Sequence, residues 1–342
     1  MKNLILTLII TLPLTLWGQG WEQTFGGENS EIGYSVQQTT DGGYIITGFL
    51  FTNEVSGVDF TDIYLIKTDE NGNEQWSKII GSENSFELGR SVQQTTDGGF
   101  ILIGSKRSSV GESNEIYLIK TDENGNEHWS KTFGGEETDI GHSVQQTTDG
   151  GFIITGMTWS FGNDYDVYLI KTDGNGNELW SKTFGGTNRD EGYSVQQTTD
   201  GGYIITGYTK SFGDEDDDFY DDVYLIKTDG GGIEQWSKTF GDEDEDNEDY
   251  YSGYSVQQTN DGGYIITGDT GSFGNGGLDV YLIKTDDQGN ITSTYEIPLP
   301  NPNRKLEKTV NLKGQEIKPQ TNQPIIEIFD DGSVEKKLII EN

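Results

Sequence analysis

One motif returns five times along the chain, and it constrains the fold more than any other feature. Its first half reads S-V-Q-Q-T-T-D-G-G-Y-I-I-T-G, and copies begin at Ser35, Ser91, Ser143, Ser194 and Ser255. Its second half reads Y-L-I-K-T-D-x-N-G-N-E and runs into a tryptophan. A period of roughly 50–60 residues marks a solenoid, a propeller or another repeat array. Each copy parses into four strands. In the first copy these are Gly33–Thr39, Tyr44–Gly48, Asp62–Thr68 and Glu74–Lys78. Asp41-Gly42 makes a tight hairpin between the first two strands, and Asp69–Asn73 turns the chain between the last two. The second and third strands are almost continuously apolar, which is the pattern of a strand buried on both faces.

Sheets covered on both faces favour a ring of radially packed blades over a β-helix. The expected fold is therefore an all-β, five-bladed β-propeller of four-stranded antiparallel blades with a small C-terminal β tail. Trp21, Trp76, Trp129, Trp180 and Trp236 fall in or before the fourth strands and are expected to seal the gaps between blades. An exposed tryptophan platform for sugars is the other reading. The fifth copy has three strands, Tyr254–Thr259, Tyr264–Gly268 and Val280–Thr285, and no tryptophan in its fourth. The segment Trp21–Phe25 is expected to supply that edge and close the ring. The alternative gives the edge to Ile291–Tyr295.

The ends differ from the repeats. Lys2, an apolar run over Leu4–Leu16 and small residues at Gly18 and Gly20 read as a secretory signal peptide over residues 1–20. The run is too short for an easy membrane span, so no transmembrane segment is expected after cleavage. The repeats fill residues 21–297. Pro298, Pro300 and Pro302 make residues 298–303 a linker, because proline donates nothing to a strand ladder. Residues 304–342 then offer strands at Lys308–Ile317, Pro324–Asp330 and Val334–Glu341.

Composition limits the partners. There is no cysteine, so no disulfide and no thiolate chemistry. The chain has 58 acidic against 22 basic residues, for a net charge of −36. That surface repels nucleic acid and anionic lipid, and nucleic acid is excluded as a partner. Two acidic loops concentrate the charge: Asp214–Asp222 and Asp242–Tyr251, with 14 carboxylates between them. No cofactor is expected beyond a hard cation such as calcium, for which Asp214, Asp216, Asp218, Asp242, Asp244 and Asp246 are the candidate ligands. Solvated loops without an ion are the other reading. The Asp69, Asp122 and Asp173 turns superficially resemble calcium loops, but glycine stands at the wrong position and hairpin turns explain them.

Two resemblances follow from these residues. The repeats resemble a secreted-protein propeller repeat, and their tryptophan placement is similar to quinoprotein-type blades. That resemblance implies the fold and transfers no catalytic residue. The segments Leu312–Ile317, Ile325–Gly332 and Glu335–Glu341 resemble the C-terminal sorting domain of type IX secretion cargo, shortened at its front. This implies the type IX secretion machinery as partner, and a secreted or outer-surface address in a Gram-negative bacterium.

In a propeller, the loops that vary share one face, and function tends to sit on variable loops over a rigid scaffold. The expected role is a binding or adhesion module whose acidic loop face meets a glycan, a protein or a cation. A secreted glycan-acting hydrolase is the alternative, and a spacer without specific ligand a third reading. His128 and His142 replace other residue types of the repeat and read as surface drift. With no nucleophile–base pair and no histidine cluster in sight, the chain is expected not to be an enzyme.

Overall fold

The computed structural model describes residues 20–55, 58–162, 164–212, 221–241, 250–272, 277–291, 305–311, 315–318, 324–330 and 334–338. Residues 1–19, the acidic stretches 213–220 and 242–249, and residues 292–304 lie outside them. Among the described residues every regular element is a strand.

Repeat 1 holds β1 (Glu31–Gln38), β2 (Tyr44–Val55), β3 (Val58–Thr68) and β4 (Glu74–Ile80). Repeat 2 holds β5 (Phe86–Gln94), β6 (Phe100–Arg107), β7 (Glu115–Thr121) and β8 (Glu127–Phe133). Repeat 3 holds β9 (Asp139–Gln146), β10 (Phe152–Thr158), β11 (Asp166–Thr172) and β12 (Glu178–Phe184). Repeat 4 holds β13 (Asp190–Gln197), β14 (Tyr203–Thr209), β15 (Asp222–Thr228) and β16 (Glu234–Phe240). Repeat 5 holds β17 (Tyr251–Gln258), β18 (Tyr264–Thr270) and β19 (Asp279–Thr285). Each repeat is an antiparallel meander in chain order, and one parallel bridge between Thr61 and Phe86 joins the sheets of repeats 1 and 2.

The T-T-D-G-G turn explains itself through its aspartate. The Asp149 carboxylate accepts the Thr147 hydroxyl and the Gly151 N–H. Lys171, buried in the third strand, reaches under the turn to Asp149 at 3.0 Å and to the Thr172 carbonyl at 2.8 Å. The same lysine–aspartate pair recurs as Lys67–Asp41, Lys120–Asp97, Lys227–Asp200 and Lys284–Asp261. Hydrogen bonds to Lys67 and Thr39 hold the Asp41 carboxyl down at about 2. The Asp69, Asp122 and Asp173 turns likewise spend their carboxylates on their own backbone. Asp173 accepts the Asn175 and Asn177 N–H groups and the Asn177 amide.

The S-V-Q-Q motif ties one repeat to the next. Gln93 Oε1 accepts the Gln146 N–H at 2.6 Å, and Gln146 Oε1 accepts the Thr96 N–H at 2.9 Å. Gln37, Gln145 and Gln196 make the same forward bond. First strands of successive repeats therefore stand side by side.

Among the described residues, four apolar cores lie between repeats, each shared by two successive repeats. Ile153, Val167 and Leu169 of repeat 3 meet Val195, Tyr203 and Ile205 of repeat 4. A tryptophan closes the outer edge of each core: Trp76, Trp129, Trp180 and Trp236 pack on Phe100, Phe152, Tyr203 and Tyr264. The fold is all-β and propeller-like.

Three expectations change. Trp21–Phe25 is not a strand, and among the described residues β19 pairs with β18 alone. The ring is not closed, because the faces that would meet stand open, with Val280 85% and Val36 65% exposed. Trp21 instead lies edge-on to Tyr44 at 5.6 Å, taking on repeat 1 the place that Trp76 takes on repeat 2. Second, the second and third strands of the first copy do not stop at Gly48 and Asp62, since β2 runs on to Val55 and β3 begins at Val58. Phe49, Leu50 and Phe60 are buried there, which extends the apolar face. Third, Lys308–Ile317 is not one strand: Val310 forms an antiparallel bridge with Glu316, and the Asn311 N–H donates to the Gln315 carbonyl.

The contact pattern separates a second unit from Asn290 onward. It is a three-stranded antiparallel sheet of β20 (Leu306–Val310), β21 (Pro324–Phe329) and β22 (Val334–Leu338), with Ile325 buried.

Candidate functional site

A scaffold repeated five times makes its exceptions visible. In every first strand the residue after the glycine is bulged out of register: Tyr34, Arg90, His142, Tyr193 and Tyr254. A bulge bends the strand and re-aims the side chain. Because first strands are neighbours, these side chains meet. The Arg90 guanidinium lies 6.0 Å from the Tyr34 ring centre, His142 sits edge-on to Tyr193 at 5.0 Å, and Tyr193 packs on Tyr254 at 5.4 Å.

The residue before that glycine is Ile32, Leu88, Ile140, Glu191 and Ser252 in turn. Its cross-strand partner is Phe49, Ser105, Met157, Tyr208 and Asp269. Repeat 4 thus places a Glu–Tyr pair where repeats 1 and 3 place apolar pairs. Glu191 is buried. Its Oε1 accepts the Tyr208 hydroxyl at 2.9 Å and the Arg189 Nε–H at 2.7 Å, and a second Arg189 N–H joins them. Its Oε2 lies 3.7 Å from His142 Nε2. Burial and then the Glu191 charge push the Tyr193 and Tyr208 phenols up. Arg189 also stacks over Tyr165 at 4.7 Å and stays partly exposed. Tyr254 is half-exposed and donates its hydroxyl to Asp269 at 3.0 Å.

His142 is a correction to the surface reading: it is largely enclosed in this cluster, with its side chain 11% exposed, whereas His128 is exposed. Burial holds its imidazole neutral, down to about 3, and the Arg90 and Arg189 charges act in the same direction.

The acidic loops enter the same neighbourhood at their roots. Asp221 and Tyr250, where the two loops rejoin the fold, form a parallel bridge, and the Tyr251 N–H donates to the Asp221 carbonyl at 2.7 Å. The Asp221 carboxyl is pushed up by burial while Lys210, 3.1 Å away, pulls it down; Arg189 and Glu191 act on it too. Of the candidate calcium ligands, Asp214, Asp216, Asp218, Asp242, Asp244 and Asp246 all lie outside the described residues. Among the described residues no three acidic or histidine side chains gather as a metal site.

A second set of carboxylates recurs at the junctions and has a structural task. Asp190 accepts the Gly186 N–H and the Ser211 hydroxyl, and Asp139 accepts the Gly135 N–H and the Ser160 hydroxyl. Facing Asp190 stands Asp166, buried, whose carboxyl burial and then Asp190 push up to about 6.

No known protein family and no curated protein matches the chain by sequence. Solved structures do resemble it. A Dyadobacter fermentans protein of unknown function is 12% identical over 72% of this chain and 73% of its own, with a TM-score of 0.49. A thermostable family-43 glycoside hydrolase is 13% identical over 81% and 97%, with a TM-score of 0.40. An endo-arabinase from Bacteroides thetaiotaomicron is 11% identical over 77% and 96%, with a TM-score of 0.44. The expectation that the chain is not an enzyme is corrected by this finding, because glycoside hydrolases are among the folds it resembles. The likeness assigns no residue its role.

Proposed function

We propose that the chain acts on glycans at the face carrying its variable loops, with Glu191 and Asp221 as the carboxylates that meet the sugar. One observation carries this reading. Glu191, Arg189, Tyr208 and His142 break the repeat pattern together, in one place, around a buried carboxylate. Sugars are held by aromatic faces against their C–H bonds and by charged forks against adjacent hydroxyls. Tyr254 and Arg189 offer both from partly exposed positions. Hydrolysis of a glycosidic bond needs one protonated and one charged carboxyl. We assign the donor role to Asp221, whose carboxyl burial pushes up, and the second carboxylate's role to Glu191, which Arg189 holds in place.

A reducing-sugar assay over a panel of plant and microbial polysaccharides tests this. Glu191→Gln and Asp221→Asn should each lower release at least about a hundredfold, measured at a temperature where circular dichroism shows each variant folded, because Glu191→Gln also strips Arg189 of its charged partner. No release from any polysaccharide removes the hydrolytic reading. Recognition of an extracellular glycan or protein by the same face is the second reading. It is favoured by the Tyr208 and Arg189 bonds that already hold Glu191 Oε1 in place. Glycan-array binding that Arg189→Ala and Tyr254→Ala abolish would support it.

The address belongs to the same proposal. Residues 1–20 are the signal for export, residues 21–297 five propeller blades, residues 298–303 a linker, and residues 304–342 the segment read by the type IX secretion machinery. Calcium held by the acidic loops would raise the melting temperature at millimolar concentration, and an unmoved transition would dismiss it.

A further inference from the structure

Every internal junction is built from the same two half-surfaces. The leading repeat supplies a trailing face: Ile204, Val223 and Leu225 at the junction of repeats 4 and 5, all at 0% exposure. The following repeat answers with Val256, Tyr264 and Ile266. Five repeats carry five of each half, and four pairs are joined. The halves left over lie at the two ends of the array. On repeat 5, Val280 and Leu282, the counterparts of Val223 and Leu225, are 85% and 66% exposed. On repeat 1, Val36, the counterpart of the buried Val92, Val144, Val195 and Val256, is 65% exposed.

Two polar details repeat the pattern. At Gly89 and Gly192 a Cβ would sit 2.5 Å from the Thr47 and Thr155 hydroxyls of the preceding repeat, so the junction admits only glycine there. Gly33 occupies the same position with only Ile46 of its own sheet, at 3.7 Å, nearby. Gln37, Gln93, Gln145 and Gln196 each accept an N–H from the next repeat. Gln257, the fifth of the series, meets no following repeat among the described residues.

We infer that the two open faces bind each other between molecules: the repeat 5 face of one copy seats on the repeat 1 face of a second copy. The occupant follows from the surfaces. Val280 and Leu282 are one half of a contact whose other half, with its glycine and its valine, stands on repeat 1 of the same sequence. Within one molecule the halves do not meet, since Val280 and Val36 are both exposed. Covering two such apolar faces is favourable. The contact is heterologous, so copies add head to tail into a closed ring or a growing chain. The net charge of −36 opposes the approach, and salt screens it.

Sedimentation velocity of the full chain tests this across concentration and salt. The expected result is species at whole multiples of the single-chain mass, enriched by concentration and by salt. Val280→Glu with Leu282→Glu spoils one face, and Val36→Glu spoils the other. Each variant should sediment as a single copy with the circular dichroism of the parent. Mixed, they should form a one-to-one pair and nothing larger, because one intact face of each kind remains. A parent that stays a single copy at all concentrations overturns the inference, as does a mixture that fails to pair. A single-copy parent whose Val280→Glu, Leu282→Glu variant also melts earlier would mean that the faces close within one molecule.

Discussion

Asp166 stands against Asp190 with its Oδ1 buried and unpartnered, and its carboxyl is pushed up to about 6. The folded chain therefore holds this proton more tightly than the unfolded chain does. The stability it contributes is complete below about 3.8 and is lost as the pH rises through about 6. Asp166→Asn should raise stability at pH 7 by up to about 3 kcal/mol, and by almost nothing at pH 4. Denaturant melts at both values check it, and an equal effect at both would contradict the assignment. His142 works with the opposite sign. Its folded value is depressed to about 3, so its contribution is complete above about 6.5 and falls as the pH drops toward 3. Relative to His142→Tyr, the residue type that repeats 1, 4 and 5 use, the parent should lose stability progressively between pH 6.5 and 4. These residues were only half legible beforehand. The substitution of His142 for tyrosine was plain, but its burial was not, because one bulge decides whether that side chain faces solvent or the neighbouring first strand. Glu191 was missed for a related reason. It stands out only when the five first strands are laid in register against Ile32, Leu88, Ile140 and Ser252.

At the scale of the element, the tryptophan and the hairpin before the next one form a lock. Trp129 packs on Phe152, and a Cβ on Gly176, whose φ is +75°, would come within 2.5 Å of the Trp129 ring. Trp129→Ala should cost about 3–5 kcal/mol. Trp21 makes the same contact with Tyr44 and Gly72 but is 46% exposed, so Trp21→Ala should cost about 1–2 kcal/mol. Equal losses in thermal melts would show that Trp21 is fully packed in solution. The lysine of Y-L-I-K-T gives a second comparison. Lys171→Met strips Asp149 and the Thr172 carbonyl of a buried partner and should cost about 1–3 kcal/mol. Lys284→Met should cost clearly less, because its side chain is 36% exposed. The strands, their turns and the tryptophans were readable from the repeat itself, since each is a local preference stated five times. The role of the lysine was not, because an isolated basic residue in an apolar run says nothing of the turn beneath which it ends.

Over the whole molecule, stability in a repeat array is a sum of unit and nearest-neighbour terms, so a repeat with one neighbour is weaker than a repeat with two. Repeats 2, 3 and 4 share a core on both sides; repeats 1 and 5 share one each. This is also where the repeat count misleads: five identical units suggest closure, yet closure depends on the angle accumulated over four junctions, which no residue encodes singly. The open ends should reveal themselves in amide hydrogen exchange. Peptides over β18–β19 should exchange sooner than those over β10–β11 and β14–β15, because local opening there breaks one core and not two. Raising the protein concentration should slow exchange in β1 and β19 alone if copies meet end to end. It should leave β10–β11 unchanged, since those strands are already enclosed on both sides. Uniform protection from repeat 1 to repeat 5 in dilute solution would mean that the ends already bury each other, and the difference drawn between the Trp129 and Trp21 substitutions would then vanish with it.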